Sequence, residues 1–288
     1  MNTFGNFPGV EQFSENGFLV VPGVLDQRRV ELLIKAWEAL SEEAIRHKGQ
    51  TDTRKYPVIK NILTWEDGNL ADVNGKASLH IEHAFRYHRA FLDVVHDPRI
   101  VATAKAVLGP DVRLLDDQLY HKPARTGGVT YWHRDSDFFL GVPVFTVWMP
   151  LDDVDAQNGC LTVVPGSHQP GYSSPGIVRK SNGTTRVDNQ LNQFYEVDPK
   201  VAECKPVAMQ RGDALLIHRD LLHCSFENTS VRQRRSYLVE YFDGREYEGL
   251  KSQYPDIFRY HHRHEYNLRV REKRPLRQQL SQLLGFRG

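Results

Sequence analysis

A histidine and an aspartate separated by one residue, His133 and Asp135, lie near the middle of the chain. In an extended strand the side chains at positions i and i+2 point to the same face, so one imidazole and one carboxylate could bind a single cation. The flanking segments 129–132 and 138–140 are rich in β-branched and aromatic residues, as is typical of strands. This pattern predicts a strand over 129–135 that presents two metal ligands on one face.

A third ligand is expected from a distant strand. His223 lies in a predicted strand over 223–227. Two histidines and one carboxylate on one face of a metal leave coordination positions open, and this set is diagnostic of non-haem Fe(II) oxygenases. His218 is a second candidate, because residues 218–220 repeat the His-x-Asp pattern. The offset between the two histidines is odd, which would place them on opposite faces of a continuous strand.

Short predicted strands follow one another from residue 112 onward and would position these ligands. They span 112–122, 129–135, 143–151, 159–165, 206–209, 214–218, 223–227 and 235–242. Strands at this spacing, separated by turn residues, favour an all-β core over about 112–245, either a barrel or a sandwich.

The N-terminal part of the chain, about 10–110, is expected to cover this core with helices. A helix is predicted over 28–46, where apolar residues recur at helical spacing. Residues 49–80 are polar and are expected to be irregular. Residues 86–108 are predicted to form two helical pieces, with a break at Pro98.

Composition limits the classes of partner. The chain has 288 residues and a formal net charge of +1, which gives no electrostatic argument for nucleic acid or an anionic membrane. Without an internal repeat or a low-complexity linker, a single domain is expected over 1–288. There is no apolar run of membrane-spanning length, and Glu11 and Glu15 do not fit a secretion leader, so we expect a cytoplasmic protein. Three cysteines without CxxC spacing predict neither a disulfide framework nor a zinc ribbon.

Some features allow two interpretations. The polar, Gly- and Pro-containing stretch 169–200 is either a substrate lid or a surface insertion. The basic tail is expected to form an amphipathic helix over about 272–285 that docks on the body, rather than a binding patch. His80, His83 and His88 could share a helix face and are interpreted as a surface cluster. The oligomeric state cannot be deduced from these patterns.

Further motifs are ordered as in one known family. Trp148 and the Leu-Asp-Asp of 151–153 are followed by Asn158-Gly159, by the Pro-Gly-Ser-His of 165–168 and by Gly212-Asp213. Together with the His-x-Asp motif and the eleven-residue spacing from His223 to Arg234, they make residues 10–245 resemble the phytanoyl-CoA dioxygenase family of Fe(II)- and 2-oxoglutarate-dependent oxygenases. The resemblance implies a mainly β fold with a helical cover, a double-stranded β-helix that is the jelly-roll of cupins.

The resemblance also implies the residues of the metal site. It assigns His133, Asp135 and His223 as the catalytic residues and as the ligands of Fe(II). The arginine eleven positions after His223 favours this histidine over His218, because the family pattern has a turn between the two and uses the second.

The binding site for 2-oxoglutarate is likewise implied. Arg234 corresponds to the cation that binds the far carboxylate of this cosubstrate, with Arg235 as the alternative. A planar guanidinium suits bidentate capture of a carboxylate and keeps its charge when it is buried. Lys122, Ser225 and Trp148 match positions near the cosubstrate in relatives.

The substrate-binding residues are predicted from a strand face. Asp116, Gln118 and Tyr120 share one face of the strand 112–122, and His168 ends the Pro-Gly-Ser-His turn. A polar pocket is the favoured interpretation of that strand face, and an exposed sheet face is the alternative. His168 either makes a turn hydrogen bond or contacts the substrate.

The implied reaction oxidises an unactivated C–H bond of a small metabolite while 2-oxoglutarate and O₂ are converted to succinate and CO₂. Ascorbate is expected to stimulate it. The carboxylate of Asp135 favours hydroxylation or a related oxidation, because halogenating relatives have a small residue at this position. The alternatives are a non-catalytic, cupin-like protein that binds a metal or ligand, and a mononuclear metal enzyme that uses no 2-oxoglutarate.

Overall fold

A computed structural model describes residues 5, 7–47, 56–61, 66–67, 75–139, 142–181, 193–253 and 255 of the protein. The described helices are α1 (Val10–Asn16), α2 (Gln27–Arg46), α3 (Ala84–Tyr87), α4 (Arg89–Val95), α5 (Pro98–Leu108), α6 (Asp135–Phe138) and α7 (Tyr247–Gln253), with a 3₁₀ turn at Gly244–Glu246. The described strands are β1 (Phe18–Val21), β2 (Ile59–Asn61), β3 (Glu66–Asp67), β4 (Leu79–Glu82), β5 (Val112–Lys122), β6 (Thr130–His133), β7 (Val144–Pro150), β8 (Leu161–Val163), β9 (Ile177–Ser181), β10 (Gln193–Val197), β11 (Lys205–Pro206), β12 (Ala214–His218), β13 (His223–Ser225) and β14 (Arg234–Asp243).

The long helix α2 begins and packs as its sequence predicts. The Asp26 carboxylate accepts a hydrogen bond from Arg29 N at 2.8 Å, which satisfies one of the unpaired amides at the helix start. Its apolar residues are buried along one stripe, among them Val30, Leu33 and Trp37. This stripe belongs to the same hydrophobic core as the outer face of β14, so the helix covers the sheet.

The major sheet has eight strands in the order β1-β12-β7-β14-β5-β4-β2-β3, and its described pairs are antiparallel. Its centre is the pairing of β14 with β5, which runs from Arg234↔Lys122 to Asp243↔Val112. Helices α2, α4 and α5 contribute to the core on one face of this sheet.

The minor sheet has six strands in the order β11-β8-β13-β6-β10-β9. A second apolar cluster joins the two sheets, because it contains Trp148 and Leu215 from the major sheet and Leu161 and Val163 from the minor one. Two antiparallel sheets that pack face to face, with a helical cover on the larger, form the predicted double-stranded β-helix.

The predicted elements and the structure differ at a few places. The strand over 112–122 and the helix break before Pro98 are confirmed. The strand predicted over 129–135 is wrong at its end, since β6 stops at His133 and α6 follows. Acidic residues in the first turn of α6, Asp135 and Asp137, favour a helix start over a continuing strand.

The stretches predicted to be irregular contain strands. Within 49–80, β2 joins the major sheet between β4 and the edge strand β3. Within 169–200, β9 and β10 pair antiparallel, and Tyr195 of β10 pairs with Trp132 of β6. The tail helix predicted over 272–285 lies outside the described residues. In the part of the chain that the structure covers, the helices are too short or too polar to cross a membrane.

Candidate active site

The end of strand β6 positions the first two candidate ligands. Arg134 is extended, with φ −117° and ψ 141°, so His133 and Asp135 keep the i, i+2 relation of a strand although Asp135 already begins α6. Both side chains are buried. The His-x-Asp spacing therefore brings an imidazole and a carboxylate to one face, as the sequence predicts.

The third candidate ligand comes from the neighbouring strand. His223 of β13 pairs directly with His133 of β6 in the minor sheet. The Nε2 atoms of His223 and His133 lie 3.5 Å and 3.8 Å from Asp135 Oδ1. One donor atom from each of the three residues lies within 4.8 Å of the others. Donors this close can contact a single ion of ordinary ligand distance, about 2.0–2.2 Å, after a small contraction.

The atoms that do not face this centre are held by hydrogen bonds. His133 Nδ1 lies 2.6 Å from Tyr131 O, and His223 Nδ1 lies 2.9 Å from Leu221 O. A carbonyl oxygen only accepts, so the proton is on Nδ1 of each ring and the lone pair of Nε2 faces the centre. Thr146 Oγ1 donates to Asp135 Oδ2 at 2.6 Å, which orients the carboxylate.

The electrostatics of the centre suit a metal ion. Burial, together with the nearby charge of His223, lowers the pKa of His133 to about 3, so the ring is neutral, which is the form that binds metals. Burial raises the pKa of Asp135, and a cation beside a buried carboxylate stabilises its ionised form. Two imidazoles and one carboxylate that leave the remaining side open fit Fe(II).

The competing histidine lies elsewhere. His218 ends β12, and its ring stacks obliquely on His168, with centroids 4.8 Å apart. Its Nδ1 accepts a hydrogen bond from Asp220 N at 3.1 Å. The structure thus brings His223, and not His218, together with His133.

Arg234 is a buried cation without a charged partner among the residues that the structure describes. Only 3% of the residue is exposed, and it lines the same cavity as the three candidate ligands. Its Nη1 donates to Ser236 Oγ at 2.9 Å and its Nη2 to Ser225 Oγ at 3.3 Å. Its Nε has no hydrogen-bond partner in the described part of the chain. Burial lowers the pKa of Arg234 to about 10. A buried guanidinium in this state calls for an anionic ligand.

Its neighbour Arg235 faces the other side of β14 and is fully engaged. Asp152 accepts from its Nε at 3.0 Å and from its Nη2 at 2.7 Å, and Glu38 accepts from its Nη1 at 3.0 Å. The guanidinium also lies over the Trp37 ring, 5.9 Å from the centroid. These contacts give Arg235 a structural role. The sequence had allowed it as the alternative to Arg234 for binding 2-oxoglutarate.

Ser225 connects the metal centre to Arg234. It lies two residues after His223 on β13, so the two side chains share a face. Its hydroxyl accepts from Arg234 and donates to Gly159 O at 2.8 Å. Gly159 has φ +83°, and a Cβ there would lie 2.8 Å from Phe226 O, so the turn requires glycine.

Lys122, which the sequence predicts to lie near the cosubstrate, contacts carbonyls of the protein itself, and its cosubstrate contact stays a prediction. Its buried ammonium donates to Gly128 O, Ser225 O and Phe226 O, which uses its three donors. It is not among the residues that line the cavity. The carbonyls that bind this lysine come from distant parts of the chain, so local residue spacing could not predict this structural role.

A cavity of about 110 Å³ joins these groups, which is room for several water-sized groups. Trp148 lines it, and the Arg234 guanidinium lies over the Trp148 ring, 5.8 Å from the centroid. Apolar side chains supply much of the remaining wall: Phe138, Phe139, Leu161, Ile217 and Leu238. The described residues of 169–200 do not line it, and their role as a lid stays a prediction.

The polar face of β5 lies partly in the cavity wall. Gln118 and Tyr120 line the cavity, and the Tyr120 hydroxyl donates to Gln118 Oε1 at 2.5 Å. Asp116 shares this face but does not line the cavity; its Oδ1 lies 2.9 Å from His83 Nδ1. His168 is also outside the lining: its Nε2 lies 3.0 Å from Ser14 O of α1, which is a contact with a distant helix and not within its own turn, and its role in substrate binding stays a prediction.

Two carboxylates of the cavity wall, Glu82 and Glu240, were not predicted. Glu240 lies six positions after Arg234 in β14, and this even offset places both side chains on one strand face, so strand parity could have revealed it. The prediction that His80, His83 and His88 form a surface cluster is wrong, because His80 and His83 are buried. His80 lies in β4, so the three histidines do not share a helix.

Solved structures of other proteins have the same fold. EctD from S. alaskensis with 2-oxoglutarate and 5-hydroxyectoine has a TM-score of 0.60 and 17% identity, over 83% of this chain and 76% of that one. The epimerase SnoN in complex with Fe³⁺, alpha ketoglutarate and nogalamycin RO has a TM-score of 0.59 and 21% identity, over 81% of each chain. Identities this low establish the fold alone.

Relatives are also found by sequence. Phytanoyl-CoA dioxygenase domain-containing protein 1 of Danio rerio is 28% identical over 255 residues, which cover 79% of this chain and 87% of the relative. The peroxisomal phytanoyl-CoA dioxygenase of Rattus norvegicus is 22% identical over 235 residues, 80% of this chain and 66% of the relative. The sequence model of the phytanoyl-CoA dioxygenase (PhyH) family matches residues 13–236, and the chain therefore belongs to this family of Fe(II)- and 2-oxoglutarate-dependent oxygenases.

Proposed function

We propose that this protein is a dioxygenase that uses Fe(II), 2-oxoglutarate and O₂ to hydroxylate, or otherwise oxidise, an unactivated C–H bond of a small metabolite. One observation carries the proposal. A single cavity contains both the three candidate ligands of a metal and a buried arginine, Arg234, that has no charged partner within the described ranges of the chain. A jelly-roll that only bound a metal would have no need for the second of these features.

Three residues would hold the iron, and their surroundings keep them in position. The backbone carbonyls of Tyr131 and Leu221 fix the two imidazoles in the tautomer that offers Nε2. Iron and 2-oxoglutarate, when bound, supply the chemistry that activates O₂ and oxidises a C–H bond.

Arg234 would bind the far carboxylate of 2-oxoglutarate. The Nη groups already donate to Ser236 and Ser225, so the guanidinium has a fixed orientation before the ligand arrives. Its remaining donors, Nε among them, are available to a carboxylate. Trp148 packs against the same guanidinium and shields the resulting ion pair from water.

The apolar wall would exclude water and position the substrate carbon. The Phe138 ring lies edge-on to the His133 ring, with centroids 5.1 Å apart, so an aromatic side chain adjoins the metal centre directly. The polar side chains of Gln118 and Tyr120 face the cavity from β5 and favour a metabolite with polar groups over a long lipid.

Release of succinate from 2-oxoglutarate tests the proposal. The protein is incubated with Fe(II), 2-oxoglutarate, O₂ and ascorbate across a panel of small metabolites. Substrate-dependent succinate is expected, and it should disappear in His223→Ala together with bound iron. Substitution of residues that hydrogen-bond to metal ligands lowers metal affinity or activity by about 10–100-fold. Removal of a ligand itself should lower them by more than this.

His218→Ala is the matched control, because His218 is a histidine of the same segment that does not contact the centre. It should retain iron and succinate formation. If iron binds but no 2-oxoglutarate is consumed with any metabolite, the protein is a non-catalytic metal-binding jelly-roll. If substrate is oxidised without 2-oxoglutarate, the cosubstrate assignment of Arg234 is wrong.

A further inference from the structure

We propose that the substrate carries a cationic nitrogen, a protonated amine or a guanidinium, which binds the Glu240 carboxylate in the cavity wall. The inference rests on the proposed function, since it concerns the substrate of that same cavity. It follows from the position of Glu240, from its lack of a cationic partner in the described part of the chain, and from the charges around it.

Glu240 lies on the cavity face of β14, at the opposite end from Arg234. The two residues are six positions apart on one strand face, which corresponds to about 20 Å between their Cα atoms. Both line the cavity. An anionic cosubstrate bound at Arg234 therefore leaves the Glu240 end for a second molecule.

The Glu240 end also lies beside the metal centre. Glu240 pairs with Thr146 across β14 and β7, and paired residues in an antiparallel sheet point to the same face. The Thr146 hydroxyl donates to the ligand Asp135 at 2.6 Å. Neighbouring strands are about 4.8 Å apart, so a group bound to Glu240 would lie within a few bonds of the metal.

Glu240 has no cationic partner among the residues that the structure describes. Only 4% of the residue is exposed, and the one hydrogen bond that its side chain accepts from the described residues comes from Gln118 Nε2, at 3.5 Å. The nearby carboxylates differ from it in this respect. Asp116 lies 2.9 Å from His83 Nδ1, and Glu82 lies 3.9 Å from Lys60 Nζ. A buried carboxylate that lacks such a partner is costly unless a ligand supplies one.

The surrounding charges favour a cation over other ligands. Burial, and then the negative charges of Asp116 and Asp135, raise the pKa of Glu240 well above its usual value. The same charges repel an anionic group and attract a cation, whose arrival would stabilise ionised Glu240. A neutral substrate would instead leave Glu240 protonated, as a hydrogen-bond donor, and this is the competing outcome.

Binding of simple probes distinguishes these outcomes. The full chain, loaded with Fe(II) and 2-oxoglutarate in the absence of O₂, is titrated calorimetrically with alkyl chains that differ only in the terminal group: ammonium, guanidinium, alcohol and carboxylate. The ammonium or guanidinium series should bind at least about tenfold more tightly than the alcohols and carboxylates. Equal or tighter binding of the alcohols or carboxylates overturns the inference.

Variants locate the selectivity. Glu240→Gln keeps the shape of the side chain and should weaken binding of the cationic probes by about tenfold or more, while the alcohols bind as before. Glu203→Gln removes an exposed carboxylate outside the cavity, so it should change neither the binding of the cationic probes nor that of the alcohols. Cation binding that survives in a folded Glu240→Gln protein overturns the inference. If that variant does not fold, the probe series on the unaltered chain still decides.

The result is independent of turnover. A chain that selects cations through Glu240 but releases no succinate with any metabolite overturns the proposed function and supports this inference. A chain that releases succinate normally, but binds neutral or anionic probes as tightly as cationic ones, overturns the inference alone.

Discussion

The two faces of strand β14 carry residues of different kinds. The cavity face presents Arg234, Ser236, Leu238 and Glu240, and the helix face presents Arg235, Tyr237, Val239 and Tyr241. On the helix face, polar groups are matched within the protein: Tyr241 donates to Val95 O at 2.9 Å, and Arg235 makes three hydrogen bonds to Asp152. On the cavity face, Arg234 and Glu240 have no partner of opposite charge among the described residues.

Side chains on the two faces of β14 therefore have different roles: those on the helix face stabilise the fold, and those on the cavity face are candidates for ligand binding. Buried polar groups that serve only the fold are paired within the fold, because an unpaired one costs about 1–3 kcal/mol. Polar groups that the fold leaves without charged partners, in a cavity, are candidates for ligand contacts. Neighbouring residues of identical type, Arg234 and Arg235, thus acquire different roles from the direction in which each one points.

Substituting each arginine in turn gives the largest expected effect. Arg234→Ala should raise the KM for 2-oxoglutarate by about a hundredfold or more, because one member of a buried ion pair loses its partner at a cost of about 3–5 kcal/mol. Steady-state succinate release measures it. Arg235→Ala is the control and should lower the free energy of unfolding with little change in this KM. If both variants raise the KM equally, the distinction between the faces fails.

Removing one hydroxyl from the helix face should affect stability alone. Tyr237 donates to Asp117 Oδ2 at 2.6 Å, and both residues are fully buried. Tyr237→Phe leaves that carboxyl short of a donor and should cost about 1–3 kcal/mol of unfolding free energy. Urea unfolding measures the loss, and 2-oxoglutarate binding by calorimetry should be unchanged. A large fall in cosubstrate affinity without loss of stability would contradict the comparison.

The last prediction concerns the pH dependence of stability and the carboxylate of Asp116, which shares the cavity face of β5 and is paired with His83. Burial lowers the pKa of His83, but the charge and hydrogen bond of Asp116 outweigh it and raise the pKa to about 9. The folded pKa lies above the ordinary value of 6.5, so the contribution to stability is complete below about pH 6.5 and is lost as the pH rises through about 9.

Urea unfolding at pH 6 and pH 9.5 tests this dependence. The unaltered protein should lose up to about 3 kcal/mol more than His83→Gln between these pH values, because each unit of pKa shift corresponds to about 1.4 kcal/mol. An equal loss in the two proteins would mean that the His83–Asp116 pair does not couple to folding. Asp116 would then resemble Glu240 more than it resembles the matched groups of the helix face.

Local spacing explains the parts of the site that could be predicted. His133 and Asp135 point to the same face although β6 ends at His133, because an extended conformation at Arg134 alone is enough to align their side chains. The parity of β5 placed Gln118 and Tyr120 on one face, and both line the cavity. Turn residues between short segments rich in strand-forming residues likewise identified the core strands, and apolar residues at helical spacing identified α2.

Contacts between distant segments explain the parts that could not. The roles of the two arginines depend on Asp152 and Glu38, which are 83 and 197 residues from Arg235 in the chain. His83 was grouped with His80 and His88 by helical spacing, but pairing of β4 with β5 placed it beside Asp116. Such pairings are set by the whole topology, and no window of the sequence contains both partners.

The ammonium of Lys122 has a consequence for how the protein acquires its metal. It ties the loop before β6, at Gly128, to the end of β13, at Ser225 and Phe226, so one buried cation braces both histidine-bearing strands. The ligands are therefore preorganised by the polypeptide itself. We therefore expect the metal to bind to a site that is already formed in the folded apoprotein. Removal of the metal by a chelator should lower the melting temperature only by the amount that the lost binding free energy accounts for, without unfolding the chain.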